Sequence, residues 1–209
     1  MKHFNQATVK GVLYEFTKKS AEKGGQKRRF LELVVTCPHP QYGNVRVFGR
    51  LWGKKVDDFM KSSKNGDLLK LSGNLAQYKD KKEETKTNFS FFSFEAWKPE
   101  EDKHPHKRAT FILVGEVVSY DDGGTEPYLT LKVKLEGENF QKEETFELSV
   151  PGSVCDAFSA PEPGTLVRVK GRIIQDEDDF GDIVVPSRPV ITELEFLNKK
   201  GVAGAGNAS

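Results

Sequence analysis

Hydrophobic and polar side chains alternate most clearly in the run VRVFGRLW, residues 45–52. Successive side chains of a β-strand point to opposite faces. The valines and the leucine of this run therefore share one face, and Arg46, Phe48 and Arg50 share the other. An aromatic ring between two guanidinium groups suits a flat, anionic ligand that stacks, such as single-stranded nucleic acid. The alternative is a half-buried strand with two solvated arginines.

The first half of the chain contains four more strand patterns. With the run at 45–52, the predicted strands are Thr8–Phe16, Phe30–Val35, Asp67–Leu75 and Asn88–Trp97. A basic loop, Thr17–Arg29, joins the first two strands, and Pro38, Pro40 and Gly43 end the second. Val56, Phe59 and Met60 have helical spacing, which predicts a short amphipathic helix between the third and fourth strands.

The second half repeats this order. The matching segments are Ala109–Tyr120, Tyr128–Leu135, Thr145–Val150 and the short helix Ser153–Phe158. The closest match pairs Gly66 and Gly73 with Gly164 and Gly171, because each pair is seven residues apart and the apolar positions between them coincide. Internal repetition of this kind indicates two copies of one unit.

Three strands, a short helix and two strands are the order of the five-stranded OB-fold barrel. The sequence therefore predicts an all-β protein with two tandem OB-fold barrels, residues 1–97 and 108–198. Residues 98–107 form a polar linker in this interpretation. The Gly-rich tail, residues 199–209, is expected to be disordered.

Several of these motifs resemble the bacterial-type single-stranded DNA-binding proteins. The resemblance rests on VRVFGRL, the short helix, KNGDLLKLSGNL and, in the second copy, ATFILVGEV. It implies an OB fold, binding of single-stranded DNA without sequence preference, and a four-barrel assembly, here a homodimer in tandem form. By motif position, Phe48 would stack on bases, with Trp52 and Tyr78 near the same groove. The family's acidic C-terminal tip is absent, and the acidic run at 176–182 is interpreted as a solvated hairpin tip.

Charge divides the two halves. Residues 1–106 hold 21 basic and 13 acidic side chains, whereas residues 107–209 hold 11 and 18. Of the 22 aromatic residues, 14 precede residue 107. In the second copy, Glu147 is aligned with Arg46 and Ser149 with Phe48, and a carboxylate there repels phosphate. We therefore expect the first copy to bind DNA and the second to contact partners.

The candidate binding residues combine cations, which neutralise phosphates, with rings, which stack on any base. They are Lys27, Arg28, Arg29, Arg46, Phe48, Arg50, Trp52, Lys70 and Tyr78. The alternation leaves five rings open between core and surface: Tyr14, Phe16, Phe30, Phe89 and Phe91. Phe92 and Phe94 are assigned to the core.

Other classes of function have little support. No Gly-rich phosphate loop is present, so we expect no enzyme and no cofactor. Cys37-Pro-His39 lacks a second pair of ligands for zinc, so no metal is expected, and His104 and His106 are expected to be solvated. The two cysteines and the lack of a long apolar run or signal peptide favour a cytoplasmic protein without a membrane partner. An OB-fold adaptor for other proteins of a replication complex and an RNA-binding module remain alternatives.

Overall fold

The computed structural model describes residues 3–23, 26–39, 43–122, 124, 126–137, 140–156, 160–175 and 187–197. The strands are β1 Phe4–Lys23, β2 Gln26–His39, β3 Gly43–Trp52, β4 Leu68–Lys79, β5 Thr85–Ala96, β6 Ala109–Asp121, β7 Tyr128–Gly137, β8 Phe140–Ser149, β9 Leu166–Ile174 and β10 Arg188–Phe196. The helices are α1 Lys55–Ser62, α2 Gly152–Cys155 and the 3₁₀ turn Pro99–Glu101. The all-β prediction is confirmed, with α1 between β3 and β4 and α2 between β8 and β9.

The first five strands close into a barrel. β1 pairs with β2, β2 with β3, β3 with β5, β5 with β4, and β4 returns to β1. Every pairing is antiparallel except β3 with β5, which is parallel at Gly49–Leu51. The inward positions of β3, Val45, Val47 and Leu51, are buried as the alternation predicts.

The five strands of the second half pair in the same order. β6, β7, β8, β10 and β9 follow one another, and β9 returns to β6. Gly66 and Gly164 both have positive φ, 93° and 84°, and their N–H groups donate to the carbonyls of Leu13 and Val117, each at 2.8 Å. The fifth strands, β5 and β10, each carry an extra residue opposite the fourth strand. The local geometry of the first half therefore recurs in the second.

The register of β8 corrects the sequence alignment of the two halves. Val47 pairs with Val35 on β2, and Phe146 pairs with Leu131 on β7. Val35 and Leu131 are equivalent, because each pairs with the first-strand residue just before a register irregularity. Glu147 is therefore the equivalent of Phe48, not of Arg46, and Ser149 is the equivalent of Arg50. The predicted alignment was wrong by two residues. A shift of two leaves the same residues facing inward, so hydrophobic alternation alone cannot detect it.

Helix α1 contributes two side chains to the core, Val56 and Phe59, which are fully buried. Phe16 packs edge-on against Phe59, with ring centroids 5.6 Å apart, and Phe94 does so at 4.9 Å. Phe94 thus packs against the core, as predicted. Met60 was expected on the same apolar face but is 44% exposed. It lies about 40° around the helix from Val56 but about 100° from Phe59, at the margin of the buried face.

Phe92 is not a core residue. It is 56% exposed, whereas the sequence places it inside. The pairing of β4 with β5 passes from Gly73–Phe91 to Ser72–Ser93, so Phe92 is the extra residue of a β-bulge. A bulge interrupts the two-residue period on which the assignment depended.

The predicted basic loop between the first two strands is mostly strand. β1 continues to Lys23 and β2 begins at Gln26, and these two residues pair. Pro38 likewise lies within β2 rather than ending it. Residues 17–29 are all polar, glycine or alanine, so they show no hydrophobic alternation from which strands could be predicted. Backbone pairing extends β1 and β2 into this segment despite that composition.

The two halves are joined by backbone pairing as well as by the connecting segment. Residues 4–9 of β1 pair with residues 109–114 of β6, so the ten strands form one continuous sheet. The connecting segment is fixed to the first half, because Asp102 accepts hydrogen bonds from Lys10 Nζ at 2.5 Å and from Trp97 Nε1 at 2.8 Å. The bond from Lys10, itself 8% exposed, holds the pKa of the Asp102 carboxyl well below its usual range.

Candidate nucleic-acid interface

The outer face of β2 and β3 carries the predicted ring and guanidinium groups. Phe48 is 47% exposed, Arg46 is exposed and Arg50 is half-buried. Arg46 lies over the ring of Tyr14, with its guanidinium carbon 5.3 Å from the centroid. Cation and ring thus alternate along one outward face, an arrangement suited to phosphates and unpaired bases.

A groove of about 610 Å³ opens beside this face. Its lining includes Phe48 and Arg50 from β3 and Tyr78 from β4, which is 51% exposed. Lys19 and Lys86 add two cations to the lining. The structure therefore brings together three of the predicted residues. Phe48 and Arg50 lie on the wall formed by β3, and Tyr78 lies on the wall formed by the β4–β5 arm, the paired ends of the two strands at residues 75–79 and 85–89.

Trp52 lies apart from that groove. It stacks on Phe30, with ring centroids 4.6 Å apart and planes at 30°, and covers that ring so that Phe30 is buried. Trp52 lines a separate recess with Arg28 and Arg29. Arg50, which lines the groove, lies over the other ring of the pair, with its guanidinium carbon 5.3 Å from the centroid of Phe30.

Carboxylates already neutralise several of the cations. Glu32 accepts from Arg50 at 3.2 Å and forms an ion pair with Lys19, whose hydrogen bond lowers the pKa of that carboxyl. The Arg29 guanidinium donates two hydrogen bonds to the Asp57 carboxylate, at 3.1 and 3.3 Å, in a bidentate contact. A phosphate that contacts these cations must compete with the carboxylates already beside them.

Arg28 and Arg46 differ from these cations. No carboxylate within the described ranges lies at ion-pair distance from either guanidinium. Each is exposed on the first half, Arg28 beside Trp52 and Arg46 beside Tyr14. Among the described residues, they are the cations of this side of the first half that have no carboxylate beside them.

Lys70 is not brought to this face. It lies on β4, opposite Lys10 of the neighbouring strand β1, and its side chain forms an ion pair with Glu95 at 2.6 Å. The backbone of Lys27 lies in β2, opposite Glu22, but its side chain lies outside the described residues. The acidic run at 176–182 lies outside them as well.

Sequence reasoning left out three residues that the structure places here: Tyr14, Lys19 and Lys86. Tyr14 is 54% exposed and follows an irregularity in the β1–β2 register between Leu13 and Glu15, which breaks the alternation. Lys19 and Lys86 lie between the predicted strands, where alternation assigns no face. Their basic character was the available signal, but it did not indicate which way they point.

The second half has a different surface at the equivalent place. Glu147 stands where the first half has Phe48, and its carboxylate accepts from the Thr85 hydroxyl at 2.9 Å. Thr145 stands in place of Arg46 and Ser149 in place of Arg50. The exposed ring and the two guanidinium groups of the first half therefore have no counterpart on this strand.

The remaining candidate chemistry is limited. Cys37 is buried, and burial raises the pKa of its thiol to about 12. Across the described ranges, no three His, Cys, Asp or Glu side chains come together as metal ligands. His104 and His106 are exposed, as predicted. No helix among the described residues has the length and apolar character needed to cross a membrane.

No protein-family model matches the sequence, and no curated protein matches it. Solved structures do share its fold. The wild-type single-stranded DNA-binding protein from Thermus aquaticus has a TM-score of 0.62 at 18% identity, over 99% of this chain and 98% of that one. A deletion mutant of that protein has a TM-score of 0.61 at 17% identity, over 96% and 97%. The chain is therefore similar in fold to the Thermus aquaticus protein over nearly its whole length.

Proposed function

We propose that this chain is a tandem OB-fold protein that binds single-stranded DNA without sequence preference. The observation that carries the proposal is the outer face of β3, where Phe48 and Arg46 are exposed beside the groove that Tyr78 lines. Rings stack on any base, and cations neutralise the backbone whatever the sequence. The fold shared with a single-stranded DNA-binding protein supports the same conclusion.

The matching strand order of the two halves supports two OB units in one chain, residues 1–97 and 108–198, joined by 98–107. We propose further that the first unit makes most of the contacts with DNA and that the chain forms a homodimer. Protection of single strands in the cytoplasm during replication, recombination or repair is the role that fits such binding. The chain is proposed to act by binding, not by catalysis.

Titration of a fluorescein-labelled oligo-dT at several salt concentrations tests the proposal. We expect tight binding that weakens with salt, because each neutralised phosphate contributes about −0.7 to the logarithmic slope for single strands. A mixed-sequence DNA oligomer should bind with similar affinity. Preference for an RNA oligomer would instead support an RNA-binding module, and weak binding to both polymers would support a protein adaptor.

A further inference from the structure

Among the described residues, the third strand of each half has an edge that its own barrel covers only in part. β3 pairs with β2 along its whole length, but with β5 only at Gly49–Leu51. β8 pairs fully with β7, but with β10 only at Ser149. Backbone groups before these positions need partners from elsewhere, since an uncovered strand edge is open to movement and to unwanted pairing.

The second half covers the edge of β3. The Gln175 Oε1 accepts a hydrogen bond from the backbone N–H of Arg46 at 2.8 Å. The hydroxyl of Ser187 donates to the carbonyl of the same residue at 2.8 Å. Gln175 is 3% exposed and lines the groove. Two side chains thus take the place of a neighbouring strand, two residues before Phe48.

The first half covers the edge of β8 in the same way. The side-chain amide of Gln77 accepts from the backbone N–H of Glu147 at 2.7 Å and donates to its carbonyl at 2.9 Å. Thr85, on the neighbouring strand of the arm, donates to the Glu147 carboxylate. This contact fixes the β4–β5 arm, and Gln77 immediately precedes Tyr78.

Gln77 and Gln175 occupy equivalent positions in the two halves. Each lies four residues after a glycine, Gly73 or Gly171, that pairs with the fifth strand just before its bulge. Each holds the third strand of the opposite half by its backbone. We call these two contacts the glutamine clamps.

We propose that the glutamine clamps position the two walls of the groove, so that the second half prepares the binding surface of the first. This inference rests on the proposed function. Gln175 fixes the wall that carries Phe48, and Gln77 fixes the wall that carries Tyr78. A groove whose walls are already fixed loses less conformational freedom on binding, so affinity is higher for the same contacts. Both glutamines are positioning residues that act through the neighbouring ring.

A double-mutant cycle in the full-length protein tests the clamp on β3. We expect Gln175→Ala to weaken oligo-dT binding about 5- to 10-fold in the wild-type background, but less than about twofold in a Phe48→Ala background. The salt slope should not change, because no cation is removed. Gln77→Ala paired with Tyr78→Ala is the matching cycle for the second clamp.

Gln6→Ala is the matched control, because Gln6 is exposed on β1 away from the groove lining. If Gln175→Ala lowers the melting temperature, Ser187→Ala removes the other half of the same clamp more gently and should show the same dependence on Phe48. Equal losses with and without Phe48, or no loss, would overturn the inference while the proposed function stands. Failure of the wild-type protein to bind oligo-dT would overturn the proposed function and this inference with it.

Discussion

Arg46, Phe48 and Arg50 lie on one face of β3, yet their surroundings differ. Arg50 contacts Glu32 and lies over Phe30, so its charge is already partly satisfied. Phe48 is one of several large apolar side chains with almost half their surface in solvent, and it lies between the two arginines of this strand. The alternation identified this face correctly because β3 has no bulge. It could not show which cations are paired, since the carboxylates come from other strands.

At the scale of this single residue, we predict that Phe48→Ala weakens oligo-dT binding by about 1–3 kcal/mol, the usual contribution of one stacked base. Folding should be retained, because the ring points away from the core. Fluorescence anisotropy and thermal unfolding measure the two effects. Val47→Ala is the control, because it removes buried methyl groups at the neighbouring position and should lower stability without removing a residue of the binding face. Unfolding of the Phe48 variant would contradict the assigned face.

At the scale of elements, the sequence predicts strands well where alternation is unbroken and poorly where a bulge or a polar arm intervenes. β3 and β6 begin or end within two residues of the predicted bounds, whereas β1 and β2 extend through the predicted loop. Phe92 was misplaced because it is the extra residue of a bulge, and Tyr14, whose face was left open, also lies at a register irregularity. Irregularities depend on backbone pairing with another strand, which the order of residues along one strand does not specify.

β4 and β5 approach each other closely at Gly73. A Cβ on Gly73 would meet the Ser90 carbonyl oxygen and would lie 2.8 Å from Phe91 Cα. Because backbone cannot move aside as a flexible side chain can, Gly73→Ala should lower the free energy of unfolding by about 1–3 kcal/mol. Urea denaturation measures this loss in the free energy of unfolding.

Gly152→Ala is the matched control, because a Cβ added at Gly152 would meet nothing within 4 Å. Its effect should stay within about 0.5 kcal/mol. Similar stabilities for both variants would mean that β4 and β5 are not held this closely.

At the scale of the whole molecule, the contact between the halves could not be predicted. Residues 98–107 have the composition of a free polar linker, but Asp102 is bound to Lys10 and Trp97. Pairing of β1 with β6 and the glutamine clamps use edges and amides that alternation treats as ordinary surface. Strand edges carry no sequence pattern that names their partner, so the sequence alone does not indicate that the two halves are joined there.

The bond between Asp102 and Lys10 gives a pH prediction. The pKa of Asp102 is lower in the folded chain than the unfolded value of about 3.9. Its contribution to stability is therefore present above that value and is lost as pH falls through the folded pKa. Asp102→Asn should be less stable than wild type at pH 7, and the difference should shrink on acidification below about pH 4.

Urea unfolding at pH 7 and pH 3 measures that difference. Asp58→Asn is the control, because Asp58 is exposed and its nearest cation, Lys55, lies 4.0 Å away, which is long for an ion pair. The Asp58 variant should show little difference at either pH. A constant gap between wild type and Asp102→Asn across this range would show that the carboxylate charge does not stabilise the junction.

The pairing of β1 with β6 also has a consequence for synthesis on the ribosome. Phe4 pairs with Val114 and Val9 with Ala109, so the partner of this edge emerges about a hundred residues later. At about 5–20 residues per second, that interval lasts roughly 5–20 s. During this time the edge of β1 that pairs with β6 has no partner from its own chain and is open to pairing with other chains. The yield of correctly folded protein should therefore depend on translation rate and chaperone supply as well as on final stability.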